Sequence, residues 1–238
     1  MKLSQLKFER LILHEDEDYI IVNKPPFLAT LADRQDEVNL LMLAREYTAE
    51  AQVCHRLDKE TSGVLAIAKN PDAYRHLSIL LEKREVTKIY HALTDGVHQF
   101  DRLLIDVPLL RQSDGVVRPS RQGKPALTYL TTLAPYKFHT LVECQPVTGR
   151  THQIRVHLSL SGAPITGDRE YGGKPLFLSQ IKRKYNLKKD TEEQPLVHRT
   201  ALHAMLLEFD GLDGKRVSVE APYQKDMQAA IRQLEQNA

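Results

Sequence analysis

The side chains best able to do chemistry fall in one run, His55-Arg56-Leu57-Asp58-Lys59-Glu60-Thr61-Ser62-Gly63-Val64-Leu65-Ala66-Ile67-Ala68-Lys69. Asp58 stands in a loop that leads into an apolar, strand-like stretch. An acid so placed is held by a rigid scaffold and can still face a cleft, which is where catalytic carboxylates tend to sit. The same acid could instead cap the Thr61-Ser62-Gly63 turn through Asx-type hydrogen bonds. Arg56 precedes Asp58 by two residues, so in an extended segment both side chains point to one side; its plainer role is a surface ion pair with Glu60. Two further stretches carry candidates. Lys88-Ile89-Tyr90 offers a flat ring with a phenolic hydroxyl, able to stack on a planar ligand and to move a proton, or simply to sit half-buried in a strand. Gly149-Arg150-Thr151-His152-Gln153-Ile154-Arg155-Val156-His157-Leu158 offers two guanidinium groups and two imidazoles.

Other chemistries find less support. His152 and His157 are five positions apart, off the i, i+4 geometry of a helical metal pair, and no second ligand cluster accompanies them or His55. Ser62 lacks the Gly-x-Ser-x-Gly elbow of a hydrolase. There is no glycine-rich phosphate loop and no regular βαβ alternation, which argues against Rossmann and P-loop folds. Cys54 and Cys144 make no disulfide framework and suit a reducing cytosol.

Several elements must position these residues. Tyr19-Ile20-Ile21-Val22-Asn23 reads as a short strand stopped by Lys24-Pro25-Pro26. The spacing of Leu40, Leu43, Ala44 and Tyr47 predicts a helix over 39–50. Residues 64–68 read as a buried strand. Asn70-Pro71 then opens a second helix to about residue 85, with Ala73, Leu77, Leu80 and Leu81 on its apolar face. Residues 87–93 alternate as a strand, Lys88, Tyr90 and Ala92 sharing one face. Residues 127–133 and 140–145 form a strand pair, and Thr151 is placed to cap a helix ending near Gly162. Gly167-Asp168 and Gly172-Gly173 read as turn-formers, and His203 as a core or supporting residue. Residues 203–209 and 216–221 flank the Asp213-Gly214 hairpin signal, and Met227, Ala230, Ile231 and Leu234 make the stripe of a terminal helix. Two segments, 111–125 and 174–199, read as mobile, the latter as a basic insertion or loop. Short strands, long non-local connections and a few helices indicate an α+β fold around a mainly antiparallel mixed sheet.

The chain of 238 residues has 42% hydrophobic and 27% charged residues, the balance of a soluble globular protein. Its start has no sustained apolar h-region, and no run of about 18 apolar residues predicts a membrane span. The net charge of +2 does not by itself announce a nucleic-acid binder. Charge is concentrated locally in Lys182-Arg183-Lys184-Tyr185-Asn186-Leu187-Lys188-Lys189, where five cations surround one Tyr; a solvated surface is the plainer reading.

These stretches, in order, resemble the RluA-type family of pseudouridine synthases. The resemblance begins at Asp18-Tyr19-Ile20-Ile21-Val22-Asn23-Lys24-Pro25-Pro26 and runs through the Asp58 loop, Lys88-Ile89-Tyr90 and the Gly149 stretch. It continues in Pro164-Ile165-Thr166-Gly167-Asp168 and Tyr171-Gly172-Gly173, and closes with Leu202-His203-Ala204. It implies the family's fold, a mixed sheet with flanking helices and a central catalytic cleft, in a single catalytic domain over 1–238 without a separate N-terminal RNA-binding domain. It implies an enzyme that turns specific uridines of structured ribosomal or transfer RNA into pseudouridine, with Asp58 as nucleophile, Arg155 beside it as counter-ion, and Tyr90 stacked on the uracil. Ile154 is implied as a packing contact of the target base. Arg56 could fill the gap left by the extruded base, and Lys182, Arg183, Lys188 and Lys189 could contact phosphates. The isomerisation is redox-neutral, so no cofactor and no metal are expected. RNA is the expected partner, with no DNA and no membrane, for a monomer in the cytoplasm. A non-catalytic RNA-binding protein on the same scaffold is the alternative; the Asp58, Tyr90 and Arg155 set argues against it.

Overall fold

Ser62–Ala68 is buried at every position, as befits an apolar strand covered on both faces. It is the spine of the first of two compact units in the computed structural model, which describes residues 6–32, 38–187 and 191–237. Unit 1 comprises Met1–Ile89 and His203–Pro222, and unit 2 comprises Tyr90–Leu202 and Tyr223–Ala238. In chain order come β1 (Ile12–Glu15), β2 (Tyr19–Lys24), α1 (Leu40–Tyr47), β3 (Gln52–Val53), β4 (Ser62–Ala68), α2 (Pro71–Lys83) and β5 (Thr87–Asp95). Then follow β6 (Leu103–Asp106), β7 (Leu109–Arg111), β8 (Val117–Pro119), β9 (Leu127–Pro135), β10 (His139–Pro146), α3 (Gln153–Leu160) and α4 (Leu178–Ile181). The chain closes with β11 (Leu202–Asp210), β12 (Arg216–Glu220) and α5 (Lys225–Gln236). Among the described residues no helix is long and apolar enough to cross a membrane.

In unit 1, β2 pairs antiparallel with β1 and β4, and β3 adds to β4. β4 and β11 run parallel, with His203 opposite Ser62 and Ala204 opposite Gly63, and β12 returns antiparallel on β11. The parallel crossing is tight. Gly63 adopts φ +113°, and a Cβ there would lie 2.1 Å from the Ala204 carbonyl oxygen, so only glycine fits. Asn70 caps α2, accepting the Ala73 N–H at 2.8 Å, with Pro71 following. The helix ends at Lys83, short of the expected residue 85. Arg84 turns left-handed (φ 64°), and its N–H and that of Glu85 close on the Leu81 and Leu80 carbonyls. α1 likewise stops at Tyr47 and not at residue 50, because Thr48 is extended.

Unit 2 is built on antiparallel β5, β10, β9 and β6. Its core gathers Leu93, Val142, Leu158, Ile165 and the α5 stripe Met227, Ala230, Ile231 and Leu234. Each such Leu, Ile, Val or Met side chain removed from water contributes about 1.5–3 kcal/mol. Two expectations need correction here. Residues 111–125 were expected to be mobile, yet β7 and β8 form an antiparallel hairpin in this stretch. The reason is a small apolar cluster of Leu109, Val117, Ala126 and Val156, which the charged composition of the segment conceals. In the described part of 174–199, Leu176, Ile181 and Val197 enter the unit 2 core, so these residues are more than a loop. Arg199, 1% exposed, is buried and grips Asp226 at 2.8 and 3.1 Å.

Candidate active site

The Asp58 loop joins β3 to β4 in unit 1, and its backbone is fastened on both sides of the acid. Before it, the Thr30 hydroxyl donates to the Leu57 carbonyl at 2.8 Å and accepts the Leu57 N–H at 3.2 Å. After it, the Lys59 carbonyl accepts the Phe27 N–H at 2.8 Å and the Lys24 ammonium at 3.3 Å. Lys24 is fully buried and also donates to the carbonyls of Pro25 and Leu28. The turn itself is closed by the Asp58 backbone carbonyl, which accepts the Thr61 N–H at 3.0 Å. The Asp58 side chain is half-buried and Arg56 is exposed. A carboxylate on so constrained a peptide has a fixed starting direction, which an attacking group needs.

The loop's histidine is kept neutral. His55 Nε2 accepts the Ala66 N–H at 3.1 Å, so its proton sits on Nδ1. Burial, helped by the nearby charge of Lys88, lowers the imidazole pKa to about 4. Burial also lowers the pKa of Lys88 itself. Ser62 and His203 pair at 2.8 Å, but both are fully buried. The His203 Nε2 contact is the Ala221 carbonyl at 3.1 Å, so Nε2 carries the proton and Nδ1 takes the Ser62 hydroxyl proton. Such a serine is a strut, not a nucleophile.

In unit 2, Tyr90 begins the segment of β5 that pairs with β10, where it lies opposite Cys144. It is half-buried and packs on the core. Ile154 is 6% exposed and lies in the same cluster. Arg155 is held from three directions by one short turn. Its Nε and Nη2 reach the two Asp168 oxygens at 2.6 and 2.7 Å. Its Nη2 also reaches Glu170 at 2.8 Å, and its guanidinium lies 4.7 Å from the centre of the Tyr171 ring. Asp168 caps the turn Arg169–Tyr171 and is 1% exposed. That turn leaves no room at Gly173, where a Cβ would meet the Ile165 carbonyl at 1.8 Å.

Thr151 is not the cap of α3 as expected. His152 occupies that place in a left-handed conformation (φ 54°) and gives no side-chain cap. Gln153 supplies the support: its oxygen accepts the Arg150 N–H and the Thr148 hydroxyl, and its amide donates to Leu127 O and Thr128 Oγ1. His157 spends both ring nitrogens on Thr128 Oγ1 and Val107 O. Among the described residues no three His, Cys, Asp or Glu side chains are grouped as metal ligands. Lys182 and Arg183 are exposed just after α4; Lys188 and Lys189 lie outside the described residues. Sequence reasoning did not find Lys24, Thr30, Glu170 or the pairing of Asp168 with Arg155. The acidic pair in Asp168-Arg169-Glu170 was the one signal available for the last.

A family model described as RNA pseudouridylate synthase matches residues 18–160. The chain is 35% identical over 236 residues to "Ribosomal large subunit pseudouridine synthase C" of Salmonella typhi, covering 96% of this chain and 71% of that protein. The Escherichia coli (strain K12) protein of the same name is 35% identical over 232 residues, covering 94% and 70%. Among solved structures, "Human RNA Pseudouridylate Synthase Domain Containing 4" superposes with a TM-score of 0.73 at 29% identity, covering 96% of this chain and 94% of that one.

Proposed function

Because the chain belongs to the RNA pseudouridylate synthase family, we propose that this RNA pseudouridine synthase modifies uridines of large-subunit ribosomal RNA, with Asp58 as its nucleophile. The observation that carries the reading is the Asp58 peptide, fastened by Thr30 on one side and by Lys24 and Phe27 on the other. The ribosomal substrate is supported by the names of the 35% identical relatives.

In the reaction the C1′–N1 bond breaks, the uracil turns, and a C1′–C5 bond forms. C5 loses its hydrogen to solvent as a proton and N1 gains one, so atoms and electrons balance without an added reactant. Asp58 must be ionised to attack the nucleoside, and the family pattern makes Arg155 the guanidinium that favours that form. Tyr90 stacks on the uracil and its hydroxyl serves the proton transfers. Arg56, exposed at the loop, stands in for the base that has left the stack. The cations of 182–189 neutralise phosphates. The protein acts as a monomer in the cytoplasm.

The test is chemical mapping of pseudouridine in total RNA from cells with the protein, without it, and with Asp58→Asn. Asn keeps the shape and removes the charge. Sites present with the wild-type chain should vanish in the other two, while RNA affinity stays close to wild type. An Asn variant that restores the sites excludes Asp58 as nucleophile, and sites confined to transfer RNA replace the ribosomal substrate.

A further inference from the structure

Tyr171 makes three contacts that no other side chain described in unit 2 combines. Its ring lies under the Arg155 guanidinium. Its hydroxyl accepts the Val117 N–H of β8 at 3.1 Å, and meets His152 Nδ1 at 2.8 Å. His152 Nδ1 also faces Glu170 Oε2 at 3.5 Å, so the hydroxyl, the imidazole and the carboxylate that grips Arg155 meet at one point. The tie also holds His152 in its left-handed conformation, one that residues other than glycine seldom adopt.

The hairpin of β7 and β8 makes a two-stranded sheet of its own. Such a hairpin is marginal alone and takes its orientation from what it packs on. Here that is Val156 of α3, with Tyr171 packed against the same cluster. Arg111 and Arg118 are both exposed, on opposite faces of the ribbon, and Arg118 pairs with Asp114 at 2.9 Å.

We propose that Tyr171 is a positioning residue that joins this hairpin to Arg155, holding the guanidinium with its ring and the hairpin with its hydroxyl. The inference rests on the role given to Arg155 above. A guanidinium has two edges and two flat faces. Asp168 and Glu170 fix edges, and the ring fixes a face, so its plane can neither tilt nor slide. The hydroxyl fixes the hairpin, and with it the direction in which the hairpin's cations are offered to RNA.

The two halves of Tyr171 can be separated in the full chain. Turnover is read as tritium released from C5-tritiated total RNA of cells lacking the protein, alongside thermal melting. Tyr171→Phe keeps the ring and removes the hydroxyl; its loss should fall mainly on KM, raised about fivefold as for one lost hydrogen bond. Tyr171→Met keeps most of the volume and removes the ring together with the hydroxyl; beyond the KM effect of the Phe variant, kcat should fall about 10–100-fold, the scale of a displaced catalytic group. Adding Tyr171→Met to Arg155→Lys should cost little more than Arg155→Lys alone, because the ring acts through the guanidinium. A folded Met variant with wild-type kcat overturns the proposal, as does a Phe variant with wild-type KM. If the Met variant does not fold, the KM of the Phe variant decides. Arg155→Ala with wild-type turnover would refute the functional reading itself; Arg155→Ala inactive beside a normal Met variant refutes only the role of Tyr171.

Discussion

Thr30→Val is the sharpest test of whether the Asp58 loop is held as described. Thr30 is 4% exposed and Leu57 6%. Valine has nearly the shape of threonine, so the change opens no cavity. It removes the single hydroxyl that serves both the Leu57 N–H and the Leu57 carbonyl. Two backbone groups then lose their partner in a water-poor setting, at about 1–2 kcal/mol each, or roughly 2–4 kcal/mol together. For a chain of this size that lowers the melting temperature by roughly 4–16 °C. The Leu57 peptide leads directly into Asp58, so a loosened loop also displaces the carboxylate, and kcat should fall about 10–100-fold. Thr30→Ser keeps the hydroxyl, gives up one methyl group worth about 0.8 kcal/mol, and should retain most of both properties. Thermal melting and tritium release on the three proteins give the answer. A Val variant that melts and turns over like the wild type would show that Thr30 does not hold the loop.

Tyr90→Phe keeps the stacking surface and loses the hydroxyl; single-turnover rates should drop about 10²–10⁴-fold, and an unchanged rate reduces Tyr90 to packing. Replacing Lys182, Arg183, Lys188 and Lys189 by Ser should weaken RNA binding and flatten its salt dependence by about one phosphate per lost contact, with the rate at saturating RNA preserved; titrations at several salt concentrations that give the wild-type slope would mark these residues as plain surface. His55 and His91 are both lowered to about 4 by burial, while the unfolded chain takes up protons on histidine from about 6.5. Stability from these groups is therefore present above pH 6.5 and lost as pH falls toward 4, at up to about 1.4 kcal/mol per pH unit for each. Melting temperatures that stay level from pH 7 to 4.5 would contradict neutral, buried imidazoles.

Elements with a local cause were legible before the structure. Asn70-Pro71 carries its own cap and first-turn residue, and α2 starts there. The apolar run before Lys69 is a strand buried throughout, and the four α5 residues chosen by spacing are all buried. What escaped depends on residues far apart in sequence. The Leu109–Pro119 hairpin reads as a charged loop until Val156 and Ala126 are seen to cover its apolar face. Lys24 reads only as part of the stop after a strand, yet it is fully buried because three carbonyls of two loops converge on its ammonium. The cap of α3 was assigned to Thr151 by residue type, whereas the work falls to the Gln153 amide, whose partners on β9 no local rule reveals.

The surroundings of Arg155 change what can be asked of it. The family pattern offers it as a counter-ion. Unit 2 already surrounds it with Asp168 and Glu170, and two carboxylates more than offset one guanidinium. Its value to a further acid is then less in bare charge than in direction. A guanidinium gripped at 2.6–2.8 Å by two carboxylates and seated on a ring has already lost the freedom that a surface arginine would lose on binding. This is preorganisation of the kind that lowers a barrier, because no donor must turn when charge moves. It also predicts an order among variants. Asp168→Asn keeps an acceptor for Arg155 and should cost less turnover than Asp168→Ala, although both remove the same negative charge. Were bare charge the operative quantity, the two variants would behave alike in the tritium-release assay, and the argument from direction would fail.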